Sequence, residues 1–186
     1  MAAAPLGAQQ LAFHFDPRQT QIEFTLGATF HTVHGTFGLK SGYTSFDSLT
    51  GKAAGEIIVD AASGNSGNDS RDANMHGRVL ESSRFPEIVF LPDRIEGQIP
   101  AQGDFRLKVH GIFRLHGSDH EISLDAQAHR TAEGIALILQ FSVPYAQWGL
   151  KNPSRFFLRV SGQVQVTVHT VARASPLPLT LKSKIN

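Results

Sequence analysis

The sequence predicts an all-β chain: an antiparallel barrel or sandwich of about eight strands, with one short helix inserted after the third strand. Three observations carry this. Apolar and polar residues alternate with period two over most of the length, which is the pattern of a half-buried strand. Short turns separate the alternating runs, as in antiparallel folds. One stretch, residues 63–90 (SGNSGNDSRDANMHGRVLESSRFPEIVF), breaks the alternation and reads as a Gly/Asn/Ser loop followed by a helix.

The first strands lie within residues 13–40. Ile22, Phe24 and Leu26 alternate with Gln21, Glu23 and Thr25, and the alternation resumes at Val33, Gly35, Phe37 and Leu39. Glycines within and beside these runs mark the bends of a curling sheet. After a turn at 47–51 (DSLTG), residues 53–60 form a strand with Ile57 and Val59 on one face and Ile58 on the other.

The helix is expected to start at Asp69 or Ser70, either of which is a good cap, with Asp72 in the positive first turn. Met75 and Val79 share a face, with Leu80 beside them. Gly77 costs about 1 kcal/mol relative to Ala in a helix interior. A helix of this length and composition does not stand alone, so it is expected to dock through Met75, Val79 and Leu80. Pro86 disfavours helical geometry at Phe85 and sets the end.

Residues 87–96 form the next strand, with Ile88 and Phe90 opposed to Val89 and Leu91. The clearest alternation follows: Phe105, Leu107, Val109, Gly111, Phe113 and Leu115 on one face, Arg106, Lys108, His110, Arg114 and His116 on the other, with Ile112 the exception. A turn at 117–119 leads to Ile122, Leu124, Ala126 and Ala128, and a turn at 131–134 leads to Ile135, Leu137, Leu139 and Phe141. The irregular segment 143–154 (VPYAQWGLKNPS) precedes the last strands, with Phe156, Leu158 and Val160, then Val164, Val166 and Val168. Three regions are expected: a flexible N-terminal segment at 1–12, a single β domain at 13–171, and a disordered tail at 172–186.

Composition narrows the function classes. Lys and Arg number 17 against 16 Asp and Glu, which gives no reason to expect nucleic acid or an acidic membrane as partner. Charged residues are 18% of the chain, below the usual ~25%. Phe supplies 13 residues, and Trp and Tyr only 1 and 2. The chain therefore has much apolar surface to place and few polar handles on its aromatics. It has no Cys, which removes disulfides, thiolate catalysis and Cys-ligated zinc. No run approaches the ~18 apolar residues of a membrane-spanning helix, so stable membrane insertion is not expected.

Nine histidines raise the question of a metal. His110 and His116 share a face but are roughly 20 Å apart on a strand. His31 and His34 point to opposite faces unless a bulge intervenes. His116 and His120 flank a turn and could approach each other. One alternative is therefore a histidine- or metal-dependent enzyme using His34, His116 or His120. The serines at 63–67 do not form a nucleophile elbow, and no helix follows Gly35-Thr36-Phe37-Gly38 to make it a nucleotide loop. Two readings stand for Arg71 and Asp72: they bind a ligand head group, or they pin the helix start.

The apolar faces also support two readings. They fill a core, or they line a cavity for an apolar ligand, because barrels of about eight strands do either. Residues that would line such a cavity are Phe24, Leu26, Phe37, Ile57, Val59, Phe90, Phe105, Leu107, Val109, Phe113, Leu124, Leu137, Leu139 and Phe141, with Met75, Val79 and Leu80 from the helix.

The motifs at 31–37 (HTVHGTF), 63–76 (SGNSGNDSRDANMH), 79–90 (VLESSRFPEIVF), 109–117 (VHGIFRLHG), 143–154 and 158–168 (LRVSGQVQVTV) resemble the YceI-like family of lipocalin-like, polyisoprenoid- or lipid-binding proteins. The chain departs from better-studied members at 148–154 (WGLKNPS), which places it in a separate subgroup. The resemblance implies a lipocalin-like antiparallel β-barrel with a long apolar pocket for an isoprenoid quinone or polyprenyl chain. It implies transport or sequestration rather than catalysis, no catalytic residue, and no cofactor beyond a bound lipid. It further implies a periplasmic or secreted location and a possible homodimer. A ligand-free envelope or stress-related protein with a filled barrel is the remaining alternative.

Overall fold

The computed structural model describes residues 10–154 and 159–174. Among them nine strands form one antiparallel sheet: β1 (Gln10–Phe15), β2 (Gln21–Gly27), β3 (Thr32–Asp47), β4 (Ala53–Asn65), β5 (Glu87–Glu96), β6 (Gly103–Leu115), β7 (Ser118–Arg130), β8 (Ile135–Val143) and β9 (Val164–Ala174). The order is β1-β3-β2-β9-β8-β7-β6-β5-β4, and a β3–β4 pairing closes it into a barrel.

The barrel has eight staves rather than nine because β1 and β2 share one. Both lie between β3 and β9: Phe13 pairs with Thr44 and Ala174, and Phe24 pairs with Gly35 and Val166. They are separated by a single 3-10 turn at Pro17–Gln19, where the Asp16 carboxylate accepts the Arg18 N–H at 2.8 Å and Pro17 supplies a preset φ. Counted by staves, the helical insertion follows the third, as expected. Counted by strands, it follows β4.

The helix differs from its expected form at both ends. Its α-helical part, α1, is Asp69–Asn74. The cap is Asn68, one residue earlier than expected, whose side chain accepts the Arg71 N–H at 3.0 Å. The segment then continues through Met75–Val79 as one π turn, closed by a bond from Leu80 N–H to the Met75 carbonyl at 2.8 Å. The wider turn lets both Met75 and Leu80 face the barrel interior.

The sheet also reaches further than expected at both ends of the domain. Residues 10–12, assigned to a flexible segment, belong to β1, and residues 172–174, assigned to the tail, belong to β9. Phe15 pairs with Ala172, which is almost completely buried. The expected strand around Phe156 and Leu158 lies outside the described residues, as do the rest of the N-terminal segment and of the tail. Val160 makes a single bridge to Ala28.

Two apolar clusters sit at opposite ends of the barrel. The lower one, beside the turns at 47–53, 96–103 and 130–135, contains Phe13, Phe46, Ile95, Leu107, Ala126, Ala128, Ile135 and Ala172. The rings of Phe13 and Phe46 stack with centroids 6.3 Å apart, and the small alanines leave room for them. The upper cluster contains Leu115, Val143, Tyr145 and Leu150, with Val79, Leu80 and Trp148 packed against it. On the outside, β7 presents Asp119, Glu121, Asp125 and His129, all exposed. Polar outside and apolar inside is the inverse of a lipid-facing barrel. Among the described residues no helix is long and apolar enough to cross a membrane.

Candidate functional site

Between the two clusters lies a cavity of about 670 Å³, within the ~300–1,000 Å³ of typical small-molecule pockets. It is long rather than round. On β9, Val164, Val166, Val168, Thr170 and Ala172 all line it, a run of eight residue steps, or roughly 26 Å at the usual strand rise.

The strand alternation places most of the expected lining residues there. Phe24 and Leu26 contribute from β2, Phe37 from β3, Ile57 and Val59 from β4, and Phe90 from β5. Leu107, Val109 and Phe113 contribute from β6, Leu124 from β7, and Leu137, Leu139 and Phe141 from β8. Met75, Val79 and Leu80 close the wall from the helical segment. Phe105 does not line the cavity. It has the inward parity of its strand, but it lies at the lower end and packs against the lower cluster. Alternation specifies a side chain's face and not its depth along the barrel.

Several wall residues were missed, among them Ile22, Val33, Leu39 and the valines of β9. The same period-two signal marks them all. The first strand residues, Phe13 and Phe15, were hidden because the Asp16-Pro17 turn was not recognised as a break within one stave.

Close approach of the helical segment to the wall depends on Gly64. A Cβ there would lie 2.6 Å from the Phe37 ring and 2.9 Å from Met75 Cε, so only Gly lets Met75 rest against β4. Gly35 does the same for Phe24, whose ring would be 2.4 Å from an added Cβ. Phe24 and Phe37 then pack with centroids 5.4 Å apart.

Thr20, Thr44 and Thr170 line the lower part of the cavity, and a second polar group, with exposed His31, Asn68 and Ser70 among it, lines the upper end: His31, Ser66, Asn68, Ser70, Arg71 and Asn74. Arg71 donates from Nε to Ser66 Oγ at 2.7 Å and from Nη2 to the Ser66 carbonyl at 2.9 Å. The Asp72 carboxylate accepts from Ser66 N–H and Oγ–H. Burial pushes the Asp72 carboxyl up, but the Ser66 bonds and the Arg71 charge outweigh it and hold the group below the ordinary value. Arg71 and Asp72 thus pin the helix start to the preceding loop, while Arg71 also faces the cavity.

The other end of the helical segment is latched. His116 Nε2 and Glu81 Oε2 are 2.6 Å apart, and the His116 ring packs on Phe85 at 4.3 Å. Glu81 and His116 are the two non-glycine residues with positive φ among those described, so the latch holds two left-handed backbones in place. Above it, Tyr145 donates its hydroxyl to the Ser161 carbonyl at 2.6 Å, tying the 144–150 segment across the upper end. Burial pushes that hydroxyl's pKa up.

The histidines go to separate partners. His116 joins Glu81, while His120 stacks on Trp148 with centroids 3.9 Å apart, so the two do not converge. His34 bonds Thr25 at 3.1 Å on the surface, and His110 sits on the outer face between Asp93 at 2.6 Å and Glu121 at 2.9 Å. The bond to Asp93 raises the His110 pKa against the opposing effect of burial, with Glu121 adding to it. Among the described residues no group of three or more His, Cys, Asp or Glu is arranged to hold a metal ion.

Comparison with solved structures gives the same fold. Burkholderia cenocepacia BcnA superposes with a TM-score of 0.68 at 15% identity, over 84% of this chain and 98% of that one. A polyisoprenoid-binding domain from Saccharophagus degradans, implicated in plant cell wall breakdown, gives 0.64 at 16% identity, over 89% and 99%. A Campylobacter jejuni YceI protein gives 0.55 at 14% identity, over 95% and 90%. The curated proteins give no match by sequence. The family model for the YceI-like domain matches residues 13–172, and the chain belongs to the YceI-like family.

Proposed function

We propose that the protein binds an apolar, isoprenoid-type lipid, a quinone or polyprenyl chain, inside its barrel, and carries or sequesters it without chemical change. The observation that carries this reading is the long cavity of about 670 Å³ with a predominantly apolar lining. Its shape suits a single extended chain. Each buried methylene contributes about 0.8 kcal/mol, so ten carbons supply about 8 kcal/mol before the costs of association. Such a ligand needs few polar contacts to be held.

The likeness to a polyisoprenoid-binding domain of another organism supports the same reading. A cavity of this size favours it over a ligand-free barrel with a filled interior.

The test is uptake by delipidated protein. After incubation with a radiolabelled polyprenol or an isoprenoid quinone, the label is expected to co-elute with the protein in gel filtration, saturating at one lipid per chain. Failure of both lipids to co-elute overturns the proposal.

A further inference from the structure

We infer that the ligand is an amphiphile whose apolar chain ends in an oxyanion, a phosphate or a carboxylate, and that Arg71 receives it at the mouth. This rests on the lipid-binding reading above and narrows it. Among the described residues Arg71 is the only Lys, Arg, Asp or Glu that lines the cavity. A guanidinium is always charged and carries five N–H donors. Two of them go to Ser66, one each from Nε and Nη2. Three remain, on Nη1 and Nη2, which is the end-on edge of the fork that grips an oxyanion through two parallel bonds.

No carboxylate of the described residues forms an ion pair with Arg71. The nearest in sequence, Asp72, spends both oxygens on Ser66. The Ser66 clamp fixes the Arg71 fork, so little rotamer freedom is lost when a head group arrives. Ser70 and Asn74, also in the lining, add further donors beside it.

Charge around the mouth has the same sign. Arg78, Lys151 and Arg159 are exposed at this end with no ion-pair partner among the described residues, against one such acid, Asp69. Glu81 and Asp119 are already bonded, to His116 and Arg114. The Asp72 charge acts on Arg71 from the side, but a neutral head group such as a quinone or an alcohol would give the three remaining N–H groups no charged acceptor.

The experiment compares four probes on delipidated full-length protein by isothermal titration: geranylgeranyl phosphate, geranylgeraniol, palmitate and inorganic phosphate. Wild type is expected to bind geranylgeranyl phosphate at least tenfold more tightly than geranylgeraniol, and inorganic phosphate not measurably. Palmitate binding close to that of the prenyl phosphate identifies any oxyanion-headed chain as the ligand class, and much weaker binding restricts the class to prenyl phosphates. Arg71→Gln is expected to erase the preference for phosphate, a tenfold to hundredfold loss, while geranylgeraniol stays within about twofold. Arg71→Lys is expected to recover part of the preference through charge alone.

Equal affinity of wild type for geranylgeranyl phosphate and geranylgeraniol overturns the inference and leaves lipid binding intact. So does an equal loss of both in Arg71→Gln. If neither chain binds wild type, the lipid-binding reading falls and the inference with it. The wild-type comparison needs no variant, so it stands even if Arg71→Gln destabilises the loop.

Discussion

A hollow barrel predicts that two buried phenylalanines differ in what they contribute to stability. Phe46 borders the cavity at its lower end but is almost fully packed, 5% exposed and stacked on Phe13. Phe141 lines the cavity and is only partly buried, touching Phe113 with centroids 6.3 Å apart. A phenylalanine buried to that degree removes about 200 Å² from water, or about 5 kcal/mol, which is the upper part of the ~3–5 kcal/mol range for Phe→Ala in cores. A partly buried ring on the cavity wall removes less than that, and its deletion enlarges an existing space rather than making a new one, so the cost is about 3 kcal/mol. The assay is equilibrium urea unfolding of Phe46→Ala and Phe141→Ala in delipidated protein. The expected result is a cost for Phe141→Ala that is smaller than that for Phe46→Ala by about 1–2 kcal/mol. Equal costs would mean that Phe141 is packed on both faces, and the interior is then filled.

Other expectations follow from the helical segment and the upper end. Gly77 has open space around its Cβ position and no positive φ, so Gly77→Ala should raise stability by about 0.4–1 kcal/mol in thermal or urea unfolding. Tyr145→Phe removes the bond to Ser161 and should cost about 1 kcal/mol, with faster hydrogen exchange in 144–150. The depressed carboxyl of Asp72 contributes stability that is present above its unfolded value, about pH 3.9, and lost as pH falls through its lower folded value. Asp72→Asn should therefore be less stable than wild type at pH 7, with the difference shrinking as pH falls below about 3.9 and gone once pH is below the folded value. A difference that stays constant down to pH 2 would show that the carboxylate's charge is not what matters.

Much of this fold was legible because the barrel wall is built from a local signal. The alternation from Phe105 to Leu115 gave both faces of β6, and the spacing of Met75, Val79 and Leu80 gave the docking side of the helix. Three things were not legible, each for a physical reason. The depth of Phe105 depends on where the lower cluster begins, which is set by residues from seven strands. The shared stave of β1 and β2 depends on pairing with β3 and β9, more than a hundred residues apart in sequence. The π turn at Met75–Val79 depends on contacts at Phe85 and His116 that hold the segment's end. The choice between a filled and a hollow interior belongs to the same class. Residues that face each other across the barrel come from distant parts of the chain, and no local pattern encodes the distance between them. For Arg71 the two sequence readings are not exclusive, since two of its N–H groups hold Ser66 and three remain for a ligand.

The measurement that bears most directly on lipid binding is native mass spectrometry of the protein as purified from a lipid-containing host. The account predicts a species heavier than the chain by the mass of one lipid, which organic extraction removes and incubation with that lipid restores. A spectrum with only the bare chain mass, both as purified and after incubation with prenyl phosphates, prenols and quinones, would contradict it.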